Sequence, residues 1–449
     1  RDKKIYALPT NILVLKNSNQ KSDEFWQGAR HEELNKDERT IFHMIDTLKT
    51  LPVFNTYVDV LQMVTSGYWV RGNFELGPYM SMLSFNYLEG TRFRFGGRTS
   101  NAFSTKVMLE GYAAYGTLDQ KMKYSGGFLY MLGKNPRRAL SASYKYDIEQ
   151  LGMSQNGFRE DFLLAGLFSK NTTNSLSMVK EYKGSYEHEW FSGLSSTILF
   201  ANRKLLPTNA EGIKVFDETT NEYRMLSEIT TSEIELSTRF AYKEKVVNGE
   251  FTRMSLSAKY PVLELLYGYG IKDFLHGDYE YNRLQVRVRH WFNLSTLGWS
   301  KYSIEAGQVW GKLPFPLLKI HSGNETYWYD ESAFNLMYYY EFVSDKYLSF
   351  LYAHHFEGLF LNKIPLMRKL KWREQFQIRG VVGSVSPKNI KYAGLPEGSY
   401  TLTKPYFEAG AGIENIFKVI RVDAIWRLSY LNHPRASNFG VFVSLQFDF

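Results

Sequence analysis

From about residue 70 to the end of the chain, apolar and polar residues alternate with a period of two, and no later helical pattern is available to cover the apolar side. RLQVRVRHWF is the clearest instance: Leu284, Val286, Val288 and Phe292 fall on one side, Arg283, Gln285, Arg287 and Arg289 on the other. TSEIELSTRFAY sets Ile234, Leu236, Phe240 and Tyr242 against Glu233, Glu235, Ser237 and Arg239. IRVDAIWRLSY sets Val422, Ala424, Trp426, Leu428 and Tyr430 against Arg421, Asp423, Arg427 and Ser429. Successive side chains of a strand point to opposite faces, so each segment has one greasy and one charged face. A soluble sheet of this kind needs a second layer over its apolar face. Lipid is the other cover. The last stretch, FGVFVSLQFDF, has the same form: Phe439, Val441, Val443, Leu445, Phe447 and Phe449 are apolar, and Phe442 interrupts the polar set of Gly440, Ser444, Gln446 and Asp448.

Segments with this pattern lie near 70–85, 90–98, 103–116, 120–132, 137–147, 178–190, 194–204, 231–244, 250–262, 280–293, 298–310, 346–360, 370–384, 404–414, 417–430 and 437–449. An even number of about sixteen strands suits a single-chain outer-membrane barrel. The connections give an independent check. RTSNA, GKNPRR, FSG, VNG and NLSTLG are short; 148–177, 205–230, 263–279, 311–345 and 385–403 are long. Short periplasmic turns alternating with long extracellular loops are the barrel pattern. Thr117 and LNKIPLMRK fit it least well. The expected fold is therefore an all-β transmembrane antiparallel barrel over residues 70–449, in the outer membrane of a Gram-negative cell, with lipid as its surroundings. A two-sheet soluble sandwich is the alternative, and it leaves the loop alternation unexplained. Phe447 and Phe449 would end the closing strand at the periplasmic edge, as an assembly signal.

Residues 1–69 differ. NKDERTIFHMIDTLKTLP reads as an amphipathic helix over about 35–50, with Asn35 as N-cap, Glu38 at the capping-box position and Pro52 beyond its end. It would lie in the periplasm or the barrel lumen. The chain opens on RDKKIYALPT, without a signal-peptide pattern, and reads as a mature or trimmed chain.

Composition agrees with a membrane barrel. Aromatics make up 16%, with 32 Tyr, 32 Phe and 9 Trp, residues suited to membrane interfaces. Mean hydropathy is −0.34, and no run approaches the ~18 apolar residues of a membrane helix. Barrel strands escape such a measure, because only alternate residues meet lipid. The net charge of +8 is spread along the chain, without the basic block a nucleic-acid partner would need. The chain has no cysteine, so neither disulfides nor thiolate metal sites arise.

No catalytic, cofactor or metal motif stands out. His354, His355 and Glu357 in HHFEGLF suggest a metal site, but neighbouring strand residues face opposite sides. The inward row of Glu233, Glu235, Arg239, Arg283, Arg287 and Arg289 mixes signs, which suits a ladder of ion pairs better than a selectivity filter. The stretch ETYWYDESAFNLMYYYEFVSDKY lies in the longest loop, between the eleventh and twelfth strands. Tyr327, Trp328, Tyr329, Phe334, Tyr338, Tyr339, Tyr340, Phe342 and Tyr347 are too many rings for a free surface loop. The expectation is an inward-folded sixth extracellular loop whose rings are buried in the lumen, with Asp330, Glu331 and Glu341 near Arg283, Arg287 and Arg289.

This arrangement resembles the surface-antigen superfamily of outer-membrane assembly factors (BamA- and TamA-like) and two-partner secretion transporters. FNLMYYYEFVSDKYLSFLYAHHFEGLFLNKIPLMRKLKWRE and NYLEGTRFRFGG resemble, more narrowly, an uncharacterised Bacteroidota barrel family whose members usually carry a carboxypeptidase-regulatory-like β-sandwich before the barrel. The resemblance covers most of residues 70–449. It implies a protein that helps insert or export outer-membrane or surface proteins, with client chains as partners and a strand-addition seam between 70–85 and 437–449. Its alternatives are an accessory subunit of a larger envelope complex and a solute channel. The sequence departs from the superfamily in lacking an Arg-Gly-aromatic tip in the sixth loop, POTRA repeats and the β-sandwich.

Overall fold

The computed structural model describes residues 66–150, 176–208 and 212–446 continuously, with scattered positions between 12 and 63. It is almost entirely antiparallel sheet. Two short pieces, β1 (Phe74–Leu76) and β2 (Leu83–Asn86), both pair with β3 (Gly90–Thr99). There follow β4 (Val107–Gly116), β5 (Met122–Lys134), β6 (Arg137–Gln150), β7 (Leu176–Phe191), β8 (Leu194–Pro207), β9 (Ile229–Ala241) and β10 (Val262–Gly270). The ladder continues through β11 (Tyr281–Asn293), β12 (Trp299–Trp310), β13 (Lys346–His355), β14 (Arg373–Ser384), β15 (Tyr406–Ile416), β16 (Ile420–Arg427) and β17 (Phe439–Leu445). From β3 onward each strand pairs antiparallel with the next.

β1 and β2 are two halves of one interrupted strand, and Trp69–Arg71 pairs antiparallel with the other side of β1. Pro78 has no N–H to pair, and Gly77 has φ +147, where a Cβ would lie 2.7 Å from the Gly67 carbonyl. A 3-10 turn, Tyr79–Ser81, fills the gap. Gly77 N–H still donates to the Gly96 carbonyl at 3.0 Å, and Arg94 N–H to that of Met82 at 2.8 Å, so both halves keep register on β3.

Polarity across the sheet is inside out. On β9, Ile234 and Leu236 are 44% and 43% exposed, while Glu233 and Glu235 beside them turn inward. On β16, Trp426 is 45% exposed and Arg421, Asp423 and Arg427 are at most 3%. On β17, Phe439, Val441, Val443 and Leu445 point outward. Phe442, the residue that breaks the alternation, turns inward and is fully buried against Tyr329, Leu336 and Ile425.

The expected strand at 250–262 is not one strand. Lys245–Asn248 and Arg253–Ser257 form a separate small hairpin, joined in parallel by Ile12–Leu13, and VNG is part of this hairpin instead of a barrel turn. Val262–Gly270 takes the place in the ladder. VLELLYGYG hides its alternation because Glu264 is the one charged residue among inward positions that otherwise hold Val262, Leu266, Gly268 and Gly270, while Leu263, Leu265, Tyr267 and Tyr269 are exposed. LNKIPLMRK is occupied by the short helix α1 (Pro365–Leu370). Near the N-terminus, Glu38 N–H donates to Asn35 Oδ1 at 2.8 Å and Asn35 N–H to Glu38 Oε2 at 2.9 Å, a reciprocal capping box. Phe447, Phe449 and residues 151–175 lie outside the described residues.

Candidate functional site

The connection between β12 and β13 turns back into the structure. Lys319–Ile320 pairs with Phe342–Ser344, and Tyr400–Thr401 adds to the latter in parallel. Between these paired ends, residues 322–341 form an irregular segment whose backbone groups need partners. Charged side chains of three neighbouring strands supply them.

Arg379 on β14 donates to the carbonyls of Asp330, at 2.8 Å, and Ala333, and to the Tyr329 hydroxyl at 2.5 Å. Glu408 on β15 accepts from the N–H groups of Asn335 and Leu336 at 2.9 and 2.7 Å. Arg427 on β16 donates to the Leu336 carbonyl at 3.1 Å and grips Glu341 at 2.5 and 3.0 Å. Glu341 also meets His433 Nδ1 at 2.9 Å. These wall residues and Glu341 are buried, and hydrogen bonds to ionised groups are the strong ones. Arg421 lies over the Tyr329 ring, 4.2 Å from its centroid, and pairs with Asp423 at 2.7 Å. Within the segment, Asn335 Oδ1 accepts from Asn324 Nδ2 at 2.7 Å and from Asp330 N–H at 3.0 Å, tying its two limbs together.

Phe334 and Phe342 pack with Met337, Tyr406 and Tyr430; Tyr329 packs with Phe442. Tyr338 is buried and donates to the Gly398 carbonyl at 2.7 Å, and Tyr347, also buried, to Glu305 at 2.7 Å. Trp328, Tyr339 and Tyr340 are half-buried. Tyr327 departs from the expected burial, at 53% exposed. It lies at a bend that opens the short run 327–329. That run lies beside β17: Val443 N–H donates to the Tyr327 carbonyl at 3.0 Å, and Tyr329 N–H to the Val443 carbonyl at 2.9 Å.

The expected pairing of the loop carboxylates with Arg283, Arg287 and Arg289 is not what the structure holds. Glu331 pairs with Lys301 at 2.7 Å and Glu341 with Arg427. Wall carboxylates lie closer to those arginines in the ladder and take them first. Arg283 bridges Glu233 and Glu235 at 2.5 and 2.9 Å; Arg287 meets Glu305 at 2.6 Å; Arg289 meets Glu264 at 2.5 Å; Arg239 meets Glu244 at 2.6 Å. The six charges named from the sequence thus fall into two cross-strand groups, Arg283 with Glu233 and Glu235, and Arg239, Arg287 and Arg289 around Glu264.

His354 and His355 diverge. His354 Nδ1 meets Ser300 Oγ at 2.7 Å; His355 Nδ1 meets Glu414 at 2.8 Å, and its ring stacks on Trp299 at 3.6 Å. No cluster suited to a metal ion occurs among the described residues. The sequence does not single out Arg379, Glu408 or Gln377, whose Oε1 accepts from the Tyr329 hydroxyl at 2.8 Å. The signal was there in QFQIRG and YFEAG, where polar residues alternate, but nothing in those strands alone shows what they hold.

His321 lies fully enclosed in the same loop, with Nε2 2.9 Å from Ser344 Oγ. Burial, with a smaller contribution from Lys319, pushes its imidazole down to about 3. An unfolded histidine titrates near ~6.5, so between these values protons favour the unfolded chain. This contribution to stability is complete above about pH 6.5 and falls as pH drops, by up to ~1.4 kcal/mol per pH unit. His321→Gln should therefore flatten the acid dependence. Urea midpoints of both proteins at pH 7 and pH 4.5 check this; equal losses would exclude it.

No curated protein matches the chain. Among solved structures, BamA from Haemophilus ducreyi lacking POTRA domains 1–3 is similar at 9% identity and a TM-score of 0.46, over 81% of this chain and 69% of that one. CdiB from Acinetobacter baumannii is similar at 9% identity and 0.38, over 81% and 58%. Pseudomonas aeruginosa OccK11 (OpdR) is similar at 8% identity and 0.30, over 80% and 90%. Residues 64–390 match the C-terminal domain of the family of unknown function DUF5686, so the chain belongs to that family.

Proposed function

We propose that residues 70–449 form an outer-membrane barrel of sixteen strands, counting β1 and β2 as one, behind an N-terminal segment, 1–69, with its amphipathic helix. We propose further that the barrel aids insertion or export of outer-membrane or surface proteins. The inside-out polarity supports the membrane: exposed apolar rows over buried charges suit lipid and not water. On β11, Val286 is 40% exposed and Arg287 is paired inward. Val286→Arg should cost about 2–4 kcal/mol, and Arg287→Val less. Heat-modifiable gel mobility compares the two, and equal folding of both variants would overturn the facing.

The observation that carries the assembly role is the seam. β17 pairs with β16 along one edge, and no pair joins it to Trp69–Arg71, β1 or β2 among the described residues. Phe439, Val441, Val443 and Leu445 direct their N–H and C=O groups to that other edge, since the alternate positions bond to β16. A strand edge of this kind binds extended chains by β-augmentation. The test uses purified barrel in lipid vesicles and a urea-unfolded eight-stranded outer-membrane barrel as client. Faster client folding than in empty vesicles, read by gel mobility, is expected. Equal rates would favour an accessory subunit.

A further inference from the structure

The segment Tyr327–Tyr329 pairs with the seam edge of β17 as a strand would. Its two backbone bonds to Val443 are of ordinary length, at 3.0 and 2.9 Å. Trp328 is the residue bridged to Val443. Bridged residues share a face, so Trp328 falls with Val443 on the outward side, and Tyr329 falls inward with Phe442. Trp328 and Tyr329 thus follow the out–in order of a barrel strand, while Tyr327 before them is exposed. The segment's backbone is short, parallel and bridged to one residue of β17, while Arg379 holds the Tyr329 hydroxyl and, with Glu408, the limb behind it.

We infer that Tyr327–Tyr329 is a built-in strand mimic, which occupies the acceptor edge of β17 and must leave when an extended segment of another polypeptide pairs there. The incoming partner is an amphipathic strand with alternating apolar and polar residues, because only that pattern matches lipid outside and a charged wall inside. The inference rests on the seam reading above. Two backbone bonds are readily exchanged for the longer ladder an incoming strand offers, while the Arg379 and Glu408 anchors keep the displaced loop tethered for return.

The chain has no cysteine, so Trp328→Cys with Val443→Cys introduces the only two thiols. Bridged residues of neighbouring strands lie within disulfide reach. The probe is a fluorescent peptide copying residues 324–332, NETYWYDES, with a photoreactive benzoylphenylalanine in place of its tryptophan, supplied in excess to the purified barrel. Reduced protein should capture the peptide on irradiation. Oxidised protein should capture at least ~10-fold less, and reductant should restore it. Failure of the disulfide to form would overturn the pairing and the inference with it. Equal capture by oxidised and reduced protein would overturn the mimic and leave the seam standing. Capture by neither state, nor by a variant lacking 324–340, would overturn the inference and the seam reading together.

Discussion

Arg427→Ala should destabilise the barrel by about 3–5 kcal/mol, the usual cost of leaving one member of a buried ion pair alone. Arg427 and Glu341 are both fully buried and joined at 2.5 and 3.0 Å. Removing the guanidinium leaves the Glu341 carboxylate with His433, and takes donors from the Leu336 and Tyr430 carbonyls. Glu341→Gln in the Arg427→Ala background should recover part of the loss, because a neutral amide costs less to bury than an unpaired carboxylate. Arg289→Ala is the control. Its pair with Glu264 is as short, at 2.5 Å, but Arg289 is 48% exposed, so the expected loss is about 0–1 kcal/mol. Urea unfolding of the three proteins in one lipid or detergent checks the order. A loss below ~1 kcal/mol for Arg427→Ala would show that the loop anchor does not bear on stability.

The alternation in RLQVRVRHWF and IRVDAIWRLSY was enough to identify strands and facing, because period two is local and survives without knowledge of neighbours. It was harder to read where inward positions hold glycine. In VLELLYGYG the inward face offers Gly268 and Gly270 beside Glu264, so a bilaterally apolar appearance pushed the strand one hairpin too early. The expectation of ion pairs among the residues from Glu233 to Arg289 followed from charge alternation alone. Which carboxylate each arginine takes did not, since that depends on strand register: Glu264 faces Arg287 across β10 and β11 and competes with anything the loop brings. The loop's aromatic content pointed to a covered segment. That Arg379, Glu408 and Arg427 hold its backbone could not be read, because those contacts span 46 to 91 residues and involve main-chain atoms, which leave no side-chain signature.

Replacing residues 323–340 by Asn-Gly should convert a barrel that is silent in planar bilayers into one with steady ion conductance. The ends of the excised segment already lie side by side: Lys319 faces Ser344, Ile320 faces Val343, and His321 N–H donates to the Phe342 carbonyl at 3.0 Å. A two-residue turn of this kind suits such a hairpin, and the Arg427–Glu341 pair remains outside the excision. Arg379 and Glu408 lose the backbone they hold, but water entering the vacated space solvates them, so their charges no longer need the loop. The excision also removes the buried rings of Tyr329, Phe334 and Tyr338. Each contributes roughly 1.5–3 kcal/mol when fully buried, so a lower urea midpoint should accompany the conductance. Selectivity should be weak, because the exposed wall carries both signs, Glu233 and Glu235 beside Arg283, and Glu305 beside Arg287. A parent that conducts as well as the excised form would show that the loop leaves a pore open. A silent excised form with native gel mobility would show that something other than 323–340 closes the interior, and the plug would have to be sought elsewhere in the chain.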